Sequence, residues 1–234
     1  MKMNLKNKIT FNICVIVTLS LVVMCTSLYA MSASILSEDS NTFTEVQILR
    51  AQEKIELQVD KIRLETLALS REQRVRNFFK GELGTDELNR FLTDTMEAMN
   101  RESESYYYKD LFCLGMDGVI ISSTMPNAMY VDLSSRKYVQ DSFKKSTTET
   151  SDILIALTDQ ASIVNTTHPI FDENGQMLGL FGIAIRAEKF VGFIKNYAIG
   201  ESGYFSIVDS NGLILSHREP EQIGNQAVDV LPFF

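Results

Sequence analysis

Tryptophan is absent from the 234 residues, histidine occurs twice and cysteine three times. Each scarcity excludes something. His168 and His217 stand alone, without the paired spacing that a metal centre needs. His168 precedes Pro169 in an apolar run and reads as structural; His217 ends a strand and reads as a surface residue. Cys14 and Cys25 fall inside an apolar stretch, so Cys113 is left without an intrachain disulfide partner and reads as a small buried residue. That cysteine usage is compatible with an extracytoplasmic location. Runs of Lys or Arg are missing. Of 22 basic residues, Lys2, Lys6 and Lys8 lie in the first 30, which leaves 19 against 30 acidic residues in the remainder. An acidic body without basic patches argues against nucleic acid. No phosphate-binding loop, nucleophile signature or calcium loop occurs, so the chain is expected to bind rather than catalyse, with no metal and no cofactor.

What is present begins with an uncharged stretch, residues 9–31, "ITFNICVIVTLSLVVMCTSLYAM". Roughly 20 apolar residues cross a bilayer, so 23 suffice. The lysines before it form a cytoplasmic tail, residues 1–8, and place residue 32 onward outside. A cleaved signal peptide is the alternative, with a poor cleavage site in "SLYAMSA".

Residues 35–80 contain neither Gly nor Pro. Ile48, Ile55, Ile62 and Leu69 recur every seven residues with Val59 between them, and Leu57 and Leu64 form a second stripe. This pattern predicts a long helix whose seam faces either its own core or a second copy in a homodimer. Gly81 and Gly84 interrupt it, and Thr85 is placed to cap a second helix reaching about residue 104.

The periodicity then changes. "YKDLFCL", "GVIISS", "SDILIAL", "SIVNTTHPIF" and "MLGLFGIAI" read as strands, with a short helix over 134–146. Asp or Asn before Gly in "GMDGV", "FDENGQ" and "VDSNGL" predicts tight turns and antiparallel pairing. The fold class is therefore α+β with an antiparallel sheet. One hairpin is written twice, as "LFCLGMDGVIISS" from residue 111 and "YFSIVDSNGLILSH" from residue 204. The second copy starts a unit that the remaining residues are too few to close, and it is expected to add little stability.

The order of these segments, with "DGVIISS", "DLSSRKYVQDSF", "THPIFDENGQMLGLFGIAI" and "GESGYFSIVDSNGLILSH", resembles the double Cache (dCache) extracytoplasmic sensor domain of bacterial transmembrane receptors. The resemblance implies a transmembrane helix over 9–31, helices over 32–104, a membrane-distal PAS-like ligand-binding lobe over 105–195, and the incomplete start of a membrane-proximal PAS-like lobe over 196–234. It also implies a receptor of the plasma membrane, foremost a methyl-accepting chemotaxis protein. A histidine kinase or diguanylate cyclase sensor, or a stand-alone anchored binding protein, is the alternative.

Amino-acid-binding members carry an Arg followed by aromatics at the start of the distal-lobe helix and an Asp on that lobe's last strand. Arg136 and Tyr138 match the first part; Val139 stands where a second aromatic is common, and Ala184 where the Asp belongs. A guanidinium grips a carboxylate with paired hydrogen bonds, so Arg136 is the expected anchor. A missing Asp at Ala184 turns the expectation from amines toward a carboxylic acid. Asp159 or Asp152 is a substitute source of charge, Asp132 an alternative ion-pair partner for Arg136, and Tyr130 a further aromatic of the site or of the core.

Overall fold

The computed structural model describes the backbone of residues 5–103, 107–190, 192, 198–199, 203–208 and 212–230, and side chains from residue 17 except 33, 35–41, 190, 198–199 and 220. Two compact units divide the chain, Met1–Arg50 and Ala51–Phe234. Helix α1 (Leu5–Ser70) belongs to both. Among the described residues no helix is long and apolar enough to cross a membrane. The expected span over 9–31 falls partly outside the described side chains.

Within the second unit, Ile62 of α1 is buried, and Ile55, Val59 and Leu69 pack beside it against the core. Three of the four seam residues, Ile55, Ile62 and Leu69, thus face the molecule's own core, while Ile48, Leu57 and Leu64 are exposed. After a turn at 71–72 come α2 (Gln73–Phe79) and α3 (Thr85–Glu102). Gly84, not Thr85, is the capping residue of α3, and no side chain caps it.

A six-stranded sheet follows, built from β1 (Tyr108–Leu114), β2 (Ile120–Ser123), β3 (Glu149–Thr150), β4 (Leu154–Ile155), β5 (Ser162–Phe171) and β6 (Met177–Arg186). Its order is β2-β1-β6-β5-β3, with β4 also on β5, and every pairing is antiparallel. The expected strand over "SDILIAL" shrinks to two residues. Helix α4 (Lys137–Lys145) lies within the segment expected to be helical. Gly118 sits at φ 79° and Gly212 at φ 81°, so both copies of the repeated hairpin use glycine where the turn requires positive φ.

The sheet separates two apolar layers. Tyr108, Leu111, Cys113, Phe181, Ile183 and Ile185 face Ile62, Val75, Leu88 and Leu92 of the first three helices. Phe112, Leu114, Leu180 and Ala184 face Tyr138 and Val139 of α4 together with Ala128 and Leu133.

Beyond β6 come α5 (Ala187–Phe190) and the short strands β7 (Ala198–Ile199), β8 (Gly203–Tyr204), β9 (Ile207–Val208) and β10 (Ile214–Ser216), then α6 (Ala227–Val230). β7 pairs with β8 and β9 with β10. Leu215 joins the first apolar layer, and Ile207 and Leu213 pack against it. The second hairpin is therefore attached to the first lobe's core rather than standing apart. His217 is also buried, not superficial: Tyr204 Oη lies 3.0 Å from its Nε2, and the Glu219 N–H donates to its Nδ1 at 3.0 Å.

Candidate functional site

On the α4 side of the sheet lies a small cleft with a volume of about 50 Å³. Phe112, Ile120, Leu133 and Ile163 supply apolar wall, and Lys109, Asp110 and Asn165 supply its polar groups. Gly182 pairs with Phe112 across the strands, and a Cβ there would come within 2.3 Å of the Phe112 ring. The missing side chain is what lets that ring lie on the sheet.

Lys109 and Asp110 are consecutive, so a regular strand would send them to opposite faces. The β1–β6 register breaks between Tyr108, opposite Ile185, and Asp110, opposite Ala184. Lys109 is the extra residue of a bulge, and the bulge turns both charges toward the cleft. The Lys109 side chain is only 3% exposed, and its ammonium pairs with Asp159 on the turn between β4 and β5. Ala156, Leu157 and Thr158 of that turn complete the cleft wall.

Asp110 is 5% exposed. Its Oδ1 accepts from Ser123 Oγ at 2.8 Å, the Thr124 N–H at 3.0 Å and Thr124 Oγ1 at 2.7 Å. Burial outweighs these bonds and pushes the carboxyl up to about 6. A carboxyl raised on folding holds its proton more tightly in the native state. Its contribution is most favourable below the ordinary carboxylate range and is lost as pH rises from about 4 to about 6. Asp110→Asn is expected to remove that part of the slope. Melting of parent and variant between pH 4 and 7 checks it; parallel curves would show that Asp110 titrates normally.

The residues singled out in the sequence are divided between this cleft and a second one. Ala184 lies in the first, between Asp110 and Asn165 in the sheet. Arg136 and Tyr138 line an adjoining opening of about 280 Å³ with Asp141, Glu149, Asp152 and Leu154. Asn165 joins the two clefts: its Nδ2 donates to Tyr138 Oη at 2.8 Å, and its backbone N–H donates to Ser151 Oγ at 2.9 Å. Burial pushes the Tyr138 phenol up to about 12, so it stays protonated. Arg136 is the capping residue of α4, and its guanidinium reaches the Ile155 carbonyl at 3.4 Å. It makes no ion pair among the described residues. Asp132 is instead engaged by Ser134, whose side chain first and N–H second, the latter at 2.8 Å, hold its carboxyl below the usual range. Tyr130 is 79% exposed at φ 67° and lines neither cleft. Asp159 is engaged by Lys109, which lowers its pKa.

Lys109, Asp110 and Asn165 were missed in the sequence. The signal was a Lys-Asp pair inside the apolar run "YKDLFCL". Asp110 of the next strand stands opposite Ala184, where the sequence has no acidic residue. Among the described residues no group of three or more His, Cys, Asp or Glu could hold a metal ion.

Residues 32–231 match the family model described as Cache domain. The fold is shared with the ligand-binding domain of the amino acid chemoreceptor PctC of Pseudomonas aeruginosa PAO1, solved with GABA. That pair has 15% identity, a TM-score of 0.57 and 83% of each chain covered. The sensory domain of the Campylobacter jejuni chemoreceptor Tlp3 gives a TM-score of 0.61 at 12% identity, covering 81% of this chain and 76% of that one. The sensor domain of the Vibrio cholerae histidine kinase DctB gives 0.59 at 14% identity, covering 77% and 67%. No curated protein matches the chain.

Proposed function

The chain belongs to the Cache domain family, and from that premise we propose that it is the extracytoplasmic small-molecule-sensing region of a bacterial transmembrane receptor, foremost a methyl-accepting chemotaxis protein. Residues 9–31 are its membrane span, and residue 32 onward lies outside the cytoplasm. The exposed Leu57 and Leu64, seven residues apart, are the seam of a homodimer.

The observation that carries this reading is the cleft on the α4 face. It joins apolar walls to a few convergent polar groups, Lys109, Asp110 and Asn165, which is the usual composition of a small-molecule site. PctC was solved with GABA and the Pseudomonas fluorescens chemoreceptor CtaA with L-serine and L-alanine, all small carboxylates. A carboxylate-bearing ligand suits the present chain, with Arg136 at the adjoining opening as the anchor of its anionic group. The likeness to the DctB sensor domain favours a second reading, the sensor region of a histidine kinase. The coding sequence beyond Phe234 separates the two.

A thermal-shift series on the purified chain tests the sensing role, using small acids, amino acids, amines and purines. A ligand at about 100 times its Kd adds about 2.7 kcal/mol of stability, so the melting temperature should climb with concentration. If no compound in these classes moves it, the cleft is not a sensing site.

A further inference from the structure

At the end of the sheet where β6 stops and β5 begins lies a pocket of about 160 Å³. Arg186, the last residue of β6, and Ser162, the first of β5, both line it. The second hairpin adds Leu213 and Leu215, and Ile223 follows from the turn beyond. This pocket shares no lining residue with the two clefts beside α4.

Arg186 is held by its backbone rather than by its head. Its N–H donates to the Tyr107 carbonyl at 3.0 Å, and it stands opposite Ile163 of β5. The guanidinium makes no hydrogen bond or ion pair among the described residues. Asp159 feels its charge but is paired with Lys109. Arg186 is half-buried, has five N–H donors and cannot shed its charge, so leaving it without acceptors is costly. The Ser162 hydroxyl is likewise without a hydrogen-bond partner among the described residues.

Glu188 also lines the pocket, but it is exposed and solvent answers its charge. The charge in want of a partner is therefore positive, and the wall beside it is aliphatic. A carboxylate meets the guanidinium fork with two parallel hydrogen bonds. A cavity of about 150 Å³ takes up benzene, and butyrate has as many heavy atoms. Glu188 would repel a second negative charge, which disfavours a dicarboxylate.

We propose that the pocket beside Arg186 is a second ligand site, built for a short aliphatic monocarboxylate. The carboxylate accepts from the Arg186 guanidinium and the Ser162 hydroxyl, and the tail lies on Leu213, Leu215 and Ile223. This site is independent of the sensing role given to the clefts beside α4. Its occupant touches both the end of β6 and the second hairpin, so it ties that hairpin to the sheet.

The test uses the full chain in detergent, with leucine and isoleucine methyls labelled with 13C. Sodium butyrate, disodium succinate and butylammonium chloride are each titrated against sodium chloride at equal ionic strength. The Leu213, Leu215 and Ile223 methyls should shift saturably with butyrate, at least tenfold more weakly with succinate, and not with butylammonium or chloride. Arg186→Gln should weaken butyrate at least tenfold. Glu188→Gln, at an exposed position, should bring succinate within threefold of butyrate, so the claim remains testable if the Arg186 variant does not fold. Undiminished saturation by butyrate in Arg186→Gln would overturn the site, as would equal responses to butyrate and butylammonium. Succinate binding unchanged in Glu188→Gln would overturn the assignment to monocarboxylates. Shifts confined to Leu154, in the opening beside Arg136, would also overturn the second site while leaving the sensing reading in place. That reading fails separately, when no compound raises the melting temperature of the parent.

Discussion

Arg136→Ala is expected to weaken an anionic ligand by roughly 30-fold or more while leaving the fold intact. Removing one partner of a buried, charged hydrogen bond to a ligand costs about 2–5 kcal/mol, and 2 kcal/mol is already about a 30-fold change in Kd. The fold should survive because the Arg136 side chain does little for it. Its backbone carbonyl accepts from the Val139 and Gln140 N–H groups at 3.1 Å, which a substitution preserves. Its guanidinium makes one long bond, to Ile155, and caps nothing. Calorimetry with any acid found in the thermal-shift series, alongside circular dichroism of both proteins, decides it. Equal affinity would make Arg136 a surface residue and shift the anchoring role elsewhere in the cleft.

Leu215→Ala should destabilise the whole second unit, not only the hairpin that carries it. Leu215 is buried in the same apolar layer as Ile62, Phe181 and Ile185. Emptying a buried leucine site costs about 2–5 kcal/mol. Taking about 3 kcal/mol, the melting temperature should fall by roughly 6–12 °C at the 2–4 °C per kcal/mol usual for 150–250 residues. A single cooperative transition shifted downward is the expected trace. A change under about 2 °C would restore the view of residues 203–234 as an appendage.

Local chemistry made much of this fold legible. The outer bounds of β1, β5 and β6 follow from apolar runs closed by Asp/Asn-Gly turns, and α4 lies inside its expected segment. Arg136 and Tyr138 were singled out by their order along the chain, through the family resemblance, and they line one opening. What stayed hidden depends on pairing between distant segments. His217 looks like the exposed end of a strand until Tyr204 is laid against it. Asn165 looks like one polar residue in an apolar run until its amide turns to Tyr138 and strands its oxygen. Ala184 reads as a lost charge until β1 is set beside β6 and Asp110 appears opposite it. Tyr130 read as an aromatic of the site or of the core, but it is exposed, on a left-handed backbone.

The bulge at Lys109 has a bearing on how this chain can change. With regular alternation, one of the two neighbouring charges would have to face Leu88, Leu92 and Ile62, where an unpaired ion is costly. Lys109 is thus an insertion that the sheet tolerates: without it Tyr108 and Asp110 would be adjacent and still opposite Ile185 and Ala184, one on each face. In a lineage of such receptors, the cleft would gain or shed this cation in a single step without disturbing the packing under the helices.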